Sequence, residues 1–223
     1  MNVDICDDQQ ISLIQPFGPQ IGITNLPENI NRGVLSMCLD YEHDASRRIN
    51  SLLSGLIEKE FSIKNELVNS NAMPVIKQAV LEYLSSATSV YTQFAPFDEN
   101  DIKCTEAWCN IQEVGEFNPL HSHPYDDIVV VFFPLIDIDV THHTYMRGAN
   151  KESPGSLLFN YDSGDPCFGN IIHKVIPQTG KLYVFPASLQ HYTIPLVNDK
   201  DMRVSISCNF SLWNLRIKKP GHA

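Results

Sequence analysis

Residues 118–140 read NPLHSHPYDDIVVVFFPLIDIDV. The first ten carry two histidines two apart, two prolines, a tyrosine and two aspartates. The remainder is β-branched and aromatic. Its central part, IVVVFFPLI over 128–136, holds no charge. Bounded by turn-prone residues, such a run reads as a buried strand. It is far shorter than the about 20 residues a membrane-spanning helix needs.

Outward from this stretch the same texture recurs. CTEAWCNIQEV precedes it, and SLLFNY, NIIHKVIP, KLYVFPA, QHYTIPL and MRVSISCNF follow, separated by turn residues. Seven or eight short strands from Asp101 onward, with no helix between them, predict a sandwich, jelly roll or barrel. The last run alternates: Arg203, Ser205, Ser207 and Asn209 share one face, and Val204, Ile206, Cys208 and Phe210 the other. Two placements follow for the polar face, in water or inside a barrel, lining a pocket for an anion.

Upstream the pattern differs. Residues 1–27 read as an extended lead-in broken by Pro16, Pro19 and two glycines. A helix is expected after a cap at Asp44 or Ser46, with Ile49, Leu52, Leu53, Leu56, Ile57 and Phe61 on its apolar stripe. A second is expected from near Asn71, with Pro74 in its first turn and Ile76, Val80, Tyr83, Leu84, Ala87 and Tyr91 on its buried face. The expected class is α+β, mainly β, with the helices packed on one outer face of the β-structure. One domain is expected over 1–223: lead-in and supporting helices to residue 100, and the β-core over 101–215.

A chain of 223 residues with 43% hydrophobic content can bury a substantial core. With 26 acidic against 16 basic residues the formal charge is −10, which argues against binding a nucleic-acid backbone. The one basic cluster, RIKKPGHA, reads as a solvated end. Six cysteines at 6, 38, 104, 109, 167 and 208 form no C-x-x-C pair, so free thiols in a reducing compartment are expected. The opening MNVDICDDQQ has no signal-like apolar segment. A cytoplasmic protein with no membrane or nucleic-acid partner is expected, with a homodimer left open.

His121 and His123, at i and i+2 of an extended segment, lie on one side about 7 Å apart. Two imidazoles so placed can reach one metal ion, and a third ligand must come from elsewhere. His142, His143, His173 and His191 are the candidates. His142 and His143 are adjacent and face opposite ways in a strand; His173 reads as a packed or exposed strand residue. Asp126 and Asp127 are alternative ligands if the chain turns at Pro124, or could orient an imidazole instead. Glu106, Trp108, Asn110 and Gln112 share one strand face, with Trp108 read as core.

Four ordered pieces, WCNIQEVGEFNPLHSHP, GSLLFN, PQTGKLYVFPASLQHYTIP and RVSISCNF, span Trp108 to Phe210. Together they resemble the iron(II)- and 2-oxoglutarate-dependent oxygenases, within them the small prolyl-hydroxylase-like group of bacteria and tailed phages. The resemblance implies a double-stranded β-helix, a cupin-like jelly roll with Fe(II) at its mouth and 2-oxoglutarate and O2 as cosubstrates. It places His121 and His191 as metal ligands, with His123 where the family pattern has a carboxylate. It places Arg203 and Ser205 on the far carboxylate of 2-oxoglutarate. Asn110, Asn118 and Tyr192 are further expected to line the cofactor pocket. The implied activity is hydroxylation of a C–H bond in a small-molecule or peptide substrate. The alternatives are a cupin-type metalloenzyme that does not use 2-oxoglutarate and a jelly-roll module without catalysis.

Overall fold

The computed structural model describes residues 10–16, 18–49, 55–87, 97–139, 154–161 and 172–212. Its strands are β1 (Ser12–Ile14), β2 (Ile21–Asn25), β3 (Lys59–Ser62), β4 (Lys103–Gln112), β5 (Ile128–Asp137), β6 (Leu157–Asn160), β7 (Ile172–Val175), β8 (Lys181–Pro186), β9 (Gln190–Thr193) and β10 (Met202–Ser211). Its helices are α1 (Glu28–Tyr41), α2 (Lys64–Val68) and α3 (Ala72–Ser86). The strands form two antiparallel sheets, a larger one in the order β1-β2-β8-β5-β10-β4-β3 and a smaller one in the order β7-β6-β9. Apart from the consecutive pairs β1-β2 and β3-β4, neighbours in the larger sheet are not consecutive in sequence, as a jelly-roll winding requires.

The run 128–136 is apolar throughout because β5 is covered on both faces. Ile128, Val130 and Phe132 pack with Val34 and Cys38 of α1 and with Ile76 and Val80 of α3. Val129, Val131 and Phe133 point the other way, toward Leu157, Phe159 and Val175 of the smaller sheet. Full burial of each such side chain stabilises the fold by about 1.5–3 kcal/mol. The same two-sided geometry sorts β10. Val204, Ile206, Cys208 and Phe210 join the core beneath the helices, so Arg203, Ser205, Ser207 and Asn209 face the space between the sheets. Of the two placements open to the polar face, the interior one is found.

The helical stretch expected after Asp44 is largely not formed. Asp44 does cap, accepting from Ser46 N at 3.0 Å, but only a 3-10 turn over Ala45–Arg47 follows. Phe61 lies in β3, paired with Cys109 of β4. Strand pairing along the sheet edge has overridden the helical spacing of the apolar residues. Leu52 and Leu53 lie outside the described residues. A helix not expected from the sequence, α1, begins after Pro27 and buries Ile30, Val34 and Cys38 at four-residue spacing. Polar residues dilute that stripe. One of them, Asn31, is buried and donates from Nδ2 to Pro134 O at 3.0 Å. The helix expected from near Asn71 is α3, with Ile76, Val80, Tyr83, Leu84 and Ala87 buried; Tyr91 lies outside the described residues. The lead-in supplies β1 and β2, which lengthen the larger sheet. Among the described residues, no helix is long and apolar enough to cross a membrane. Cys38, Cys104, Cys109 and Cys208 are free, buried thiols; Cys6 and Cys167 lie outside the described residues.

Candidate metal centre

The segment Asn118–His123 runs antiparallel beside β9 and extends the smaller sheet. His121 N donates to His191 O at 3.0 Å, and His191 N returns a bond to His121 O at 2.9 Å. Thr193 N bonds Asn118 O at 3.0 Å, and His123 N bonds Ala187 O at 2.9 Å. Residues that exchange both main-chain bonds stand directly opposite one another, with side chains on one face. The His121 and His191 ring centroids are accordingly 4.3 Å apart, and each is 5.2 Å from that of His123. One ring nitrogen from each residue lies within 4.8 Å of the others, which is compatible with a single bound ion. His191, remote in sequence, is thus the histidine that joins the H-x-H pair.

The outer nitrogens are held by different means. His121 Nδ1 lies 2.7 Å from Pro119 O, and His191 Nδ1 lies 3.0 Å from Leu189 O. An Nδ1–H donating to these carbonyls leaves Nε2 bare for a metal. His123 instead places Nδ1 3.2 Å from Asn209 Nδ2, which also donates to Asp126 Oδ2 at 2.7 Å. Thr105 Oγ1 donates to Asp126 Oδ1 at 2.6 Å. Phe185 meets His191 edge-on at 5.0 Å and Trp108 lies 5.7 Å from His123, so the rings sit in an apolar collar. Burial pushes the pKa of His121 down, that of His123 to about 4, and that of His191 well below the ordinary histidine range. All three are therefore neutral at pH 7, the form that ligates.

Asp126 is committed to Thr105 and Asn209, and Asp127 accepts from Leu212 N at 2.7 Å. Neither joins the cluster of candidate ligands among the described residues. His123→Ala should weaken Fe(II) or Mn(II) affinity by about 100-fold. Asp126→Ala and Asp127→Ala should weaken it by no more than about tenfold, through lost orientation. Calorimetric titration of the three variants checks this; an aspartate variant that abolishes binding while His123→Ala is tolerated would make the site a carboxylate triad.

Behind the histidines a narrow cavity of about 30 Å³ runs between the sheets to Arg203. Val131, Phe133 and Leu157 form its apolar wall, while Asn110, Asn118 and Ser205 supply polar groups. Arg203 is 1% exposed and has no carboxylate partner among the described residues. Its Nη1 donates to Gly155 O at 2.7 Å, its Nε is buried without a hydrogen-bond partner among the described residues, and Phe133 lies 5.8 Å beneath the guanidinium. Burial lowers its pKa to about 9. Gly155 holds φ +70°, a conformation that favours glycine, and an added Cβ would lie 2.7 Å from Ile138 Cδ1. An isolated guanidinium so placed calls for an anion. The buried Asn110 Oδ1 is likewise without a partner among the described residues. An occupant larger than a water or two requires the lining side chains to part.

Of the residues expected around a cofactor, Asn110, Asn118, Arg203 and Ser205 line this cavity. Tyr192 does not: the pleat of β9 turns it away from His191 and Thr193, and Thr193 takes the inward position. His173, on β7, stacks 6.5 Å from Phe159 outside the ligand cluster. His142 and His143 lie outside the described residues. Sequence reasoning missed Glu60, which lines a wider outer cavity of about 220 Å³ at the histidines. Its signal is hidden because the apolar spacing around it reads as a helix.

Two antiparallel sheets with three convergent imidazoles at their mouth and a buried guanidinium behind them, without a carboxylate partner among the described residues, define a metal-site double-stranded β-helix. Residues 106–209, just under half of the chain, match the family model described as "Putative 2OG-Fe(II) oxygenase". The matched segment holds His121, His123, His191 and Arg203, and the family to which it is similar is an oxidoreductase class that works with Fe(II), 2-oxoglutarate and O2. Among solved structures it is similar to a prolyl-4-hydroxylase from Pseudomonas putida, at 15% identity and a TM-score of 0.54, covering 92% of this chain and 93% of that one. It is also similar to a prolyl hydroxylase from Trichoplax adhaerens in complex with a hypoxia-inducible-factor oxygen degradation domain peptide fragment, at 12% identity, TM-score 0.55 and coverage of 96% and 89%. A third is the epimerase SnoN in complex with Fe3+, alpha-ketoglutarate and nogalamycin RO, at 11% identity, TM-score 0.53 and coverage of 86% and 78%. At these identities the likeness concerns the fold. No curated protein matches the sequence.

Proposed function

We propose that the protein is an Fe(II)- and 2-oxoglutarate-dependent dioxygenase that hydroxylates a C–H bond of a small-molecule or peptide substrate. In this reading His121, His123 and His191 hold the metal, His121 and His191 through Nε2. Arg203 holds the far carboxylate of 2-oxoglutarate, with Ser205 donating beside it and Asn110 and Asn118 lining the same wall. The observation that carries the reading is the buried Arg203 in a cavity also lined by His121 and His191, two of the three convergent imidazoles. Bound together, Fe(II), 2-oxoglutarate and O2 supply the oxidation of a C–H bond coupled to conversion of 2-oxoglutarate to succinate and CO2.

The chain's own contribution is position and dryness. Three neutral imidazoles leave a divalent ion its full charge, and a dianionic cosubstrate balances it. The guanidinium fork matches a carboxylate in shape as well as charge. Val131, Phe133 and Leu157 keep water from the channel between the two ends.

Incubation with Fe(II), O2 and 2-oxoglutarate should yield succinate, dependent on the metal. In anaerobic thermal denaturation, 2-oxoglutarate at about 100 times its Kd should stabilise the iron-loaded protein by about 2.7 kcal/mol. That corresponds to a rise of roughly 5–10 °C for a chain of this size. Metal binding with neither succinate nor a thermal shift would transfer the protein to the cupin-type metalloenzymes, with Arg203 holding a different anion.

A further inference from the structure

The outer cavity is bounded by Glu60 on β3, by Trp108 on β4, and by Asp126 and Asn209 near His123. No lysine or arginine is among its described lining residues. Asp126 is already paired with Thr105 and Asn209. Glu60 is not so paired. It is 1% exposed, and its carboxylate makes a single contact among the described residues, from Asn118 Nδ2 to Oε1 at 3.5 Å, the outer limit of a hydrogen bond. The sheet register sets Glu60 opposite Asn110, and Asn110 opposite Ser205, so the three form one transverse row on the inward face. That row begins at the candidate cosubstrate channel and ends at the outer cavity.

A buried carboxylate with so little compensation is costly unless a ligand supplies what the protein withholds. We propose that Glu60 is the specificity-determining residue of this site and that the substrate carries a cationic amine, seated between Glu60 and the Trp108 face. The inference rests on the oxygenase reading for its choice of site, and it names the substrate class. The sparse pairing also shows in the acidity of Glu60: burial, with Glu116 nearby, raises its pKa to about 7 despite the Asn118 contact. A cationic group would restore the carboxylate, and an aromatic face would add attraction to the same charge. The shared chemistry is a protonated amine, whether in a free small molecule or on a basic side chain of a peptide.

The test titrates the anaerobic protein, loaded with Fe(II) and 2-oxoglutarate, with n-butylammonium, n-butanol and butyrate, read by calorimetry. A peptide arm compares Nα-acetyl-lysine amide with Nα-acetyl-norleucine amide. The expected result is at least tenfold tighter binding of the ammonium probes than of their neutral or anionic counterparts. In Glu60→Gln that preference should fall to within threefold, while Fe(II) and 2-oxoglutarate affinities stay within threefold of wild type. Failure of every ammonium probe to bind, equal binding of the neutral probes, or a preference retained in Glu60→Gln overturns the inference. Preference for the lysine amide over butylammonium assigns the amine to a peptide; the reverse assigns it to a small molecule. Should Glu60→Gln fail to fold, the wild-type comparison of ammonium with alcohol still decides. If wild type binds neither Fe(II) nor 2-oxoglutarate, the functional reading fails separately, and the same titration on the metal-free protein tests the amine.

Discussion

His191→Ala should lower the affinity for Fe(II), or for Mn(II) as a redox-inert probe, by about 100-fold or more, a loss at or beyond the upper range for disturbing a group that only orients a ligand. The reason lies in how the ring is held. His191 is 4% exposed, its Nδ1 is fixed by Leu189 O, and Phe185 and Phe159 flank it. No other side chain stands ready to replace it: the described residues offer one cluster of candidate ligands, and His191 belongs to it. The main-chain bonds between residues 121 and 191 do not depend on the imidazole, so strand pairing should survive the substitution. Metal titration with circular dichroism as the fold control makes the comparison. An alanine variant that binds metal within threefold of wild type would remove His191 from the centre.

Arg203→Ala should raise the Kd of 2-oxoglutarate for the anaerobic iron-loaded protein by roughly tenfold or more, since a charge-assisted hydrogen bond is worth about 1.5–3 kcal/mol. Metal affinity should stay near wild type, because Arg203 sits at the far end of the cavity from the imidazoles. Arg203→Lys should recover only part of the loss. An ammonium restores the charge but cannot make two parallel bonds to a carboxylate. Calorimetry on wild type and both variants gives the three constants. Equal affinity in all three would mean that the guanidinium serves the fold through Gly155 O and not a ligand.

What could be read in the sequence follows the reach of its local signals. The burial of β5 was legible because an uncharged β-branched run of that length fits little except a buried strand. The convergence of His121 with His123 was legible from the period of two. Alternation in β10 separated the two sets of side chains but could not say which set faced inward, because both faces are covered: one by helices, the other by the second sheet. The stretch near Phe61 shows the opposite limit. Its apolar spacing suits a helix in isolation, yet β4 offered a free edge, and pairing along an edge leaves no trace in the strand that joins it. Glu60 was lost with it. Tyr192 lies outside the inner cavity for a smaller reason, since one residue of phase on β9 decides which face a side chain takes.

β10 carries Arg203 near one end and Asn209 near the other, six residues apart on one face, or about 20 Å along the strand. It is bonded on both flanks, to β4 and to β5. In the proposed arrangement a single stiff rod therefore bears the support of the metal end through Asn209 and the seat of the distal carboxylate through Arg203. The strand acts as a spacing gauge: the distance a bridging diacid must cover is set by backbone and not by loops. A diacid longer by one methylene cannot be accommodated by sliding either end, and a single residue inserted between the two would turn one fixture to the helix side. Tolerance to sequence change in this protein should thus be lowest, position for position, in the length of β10 rather than in its composition.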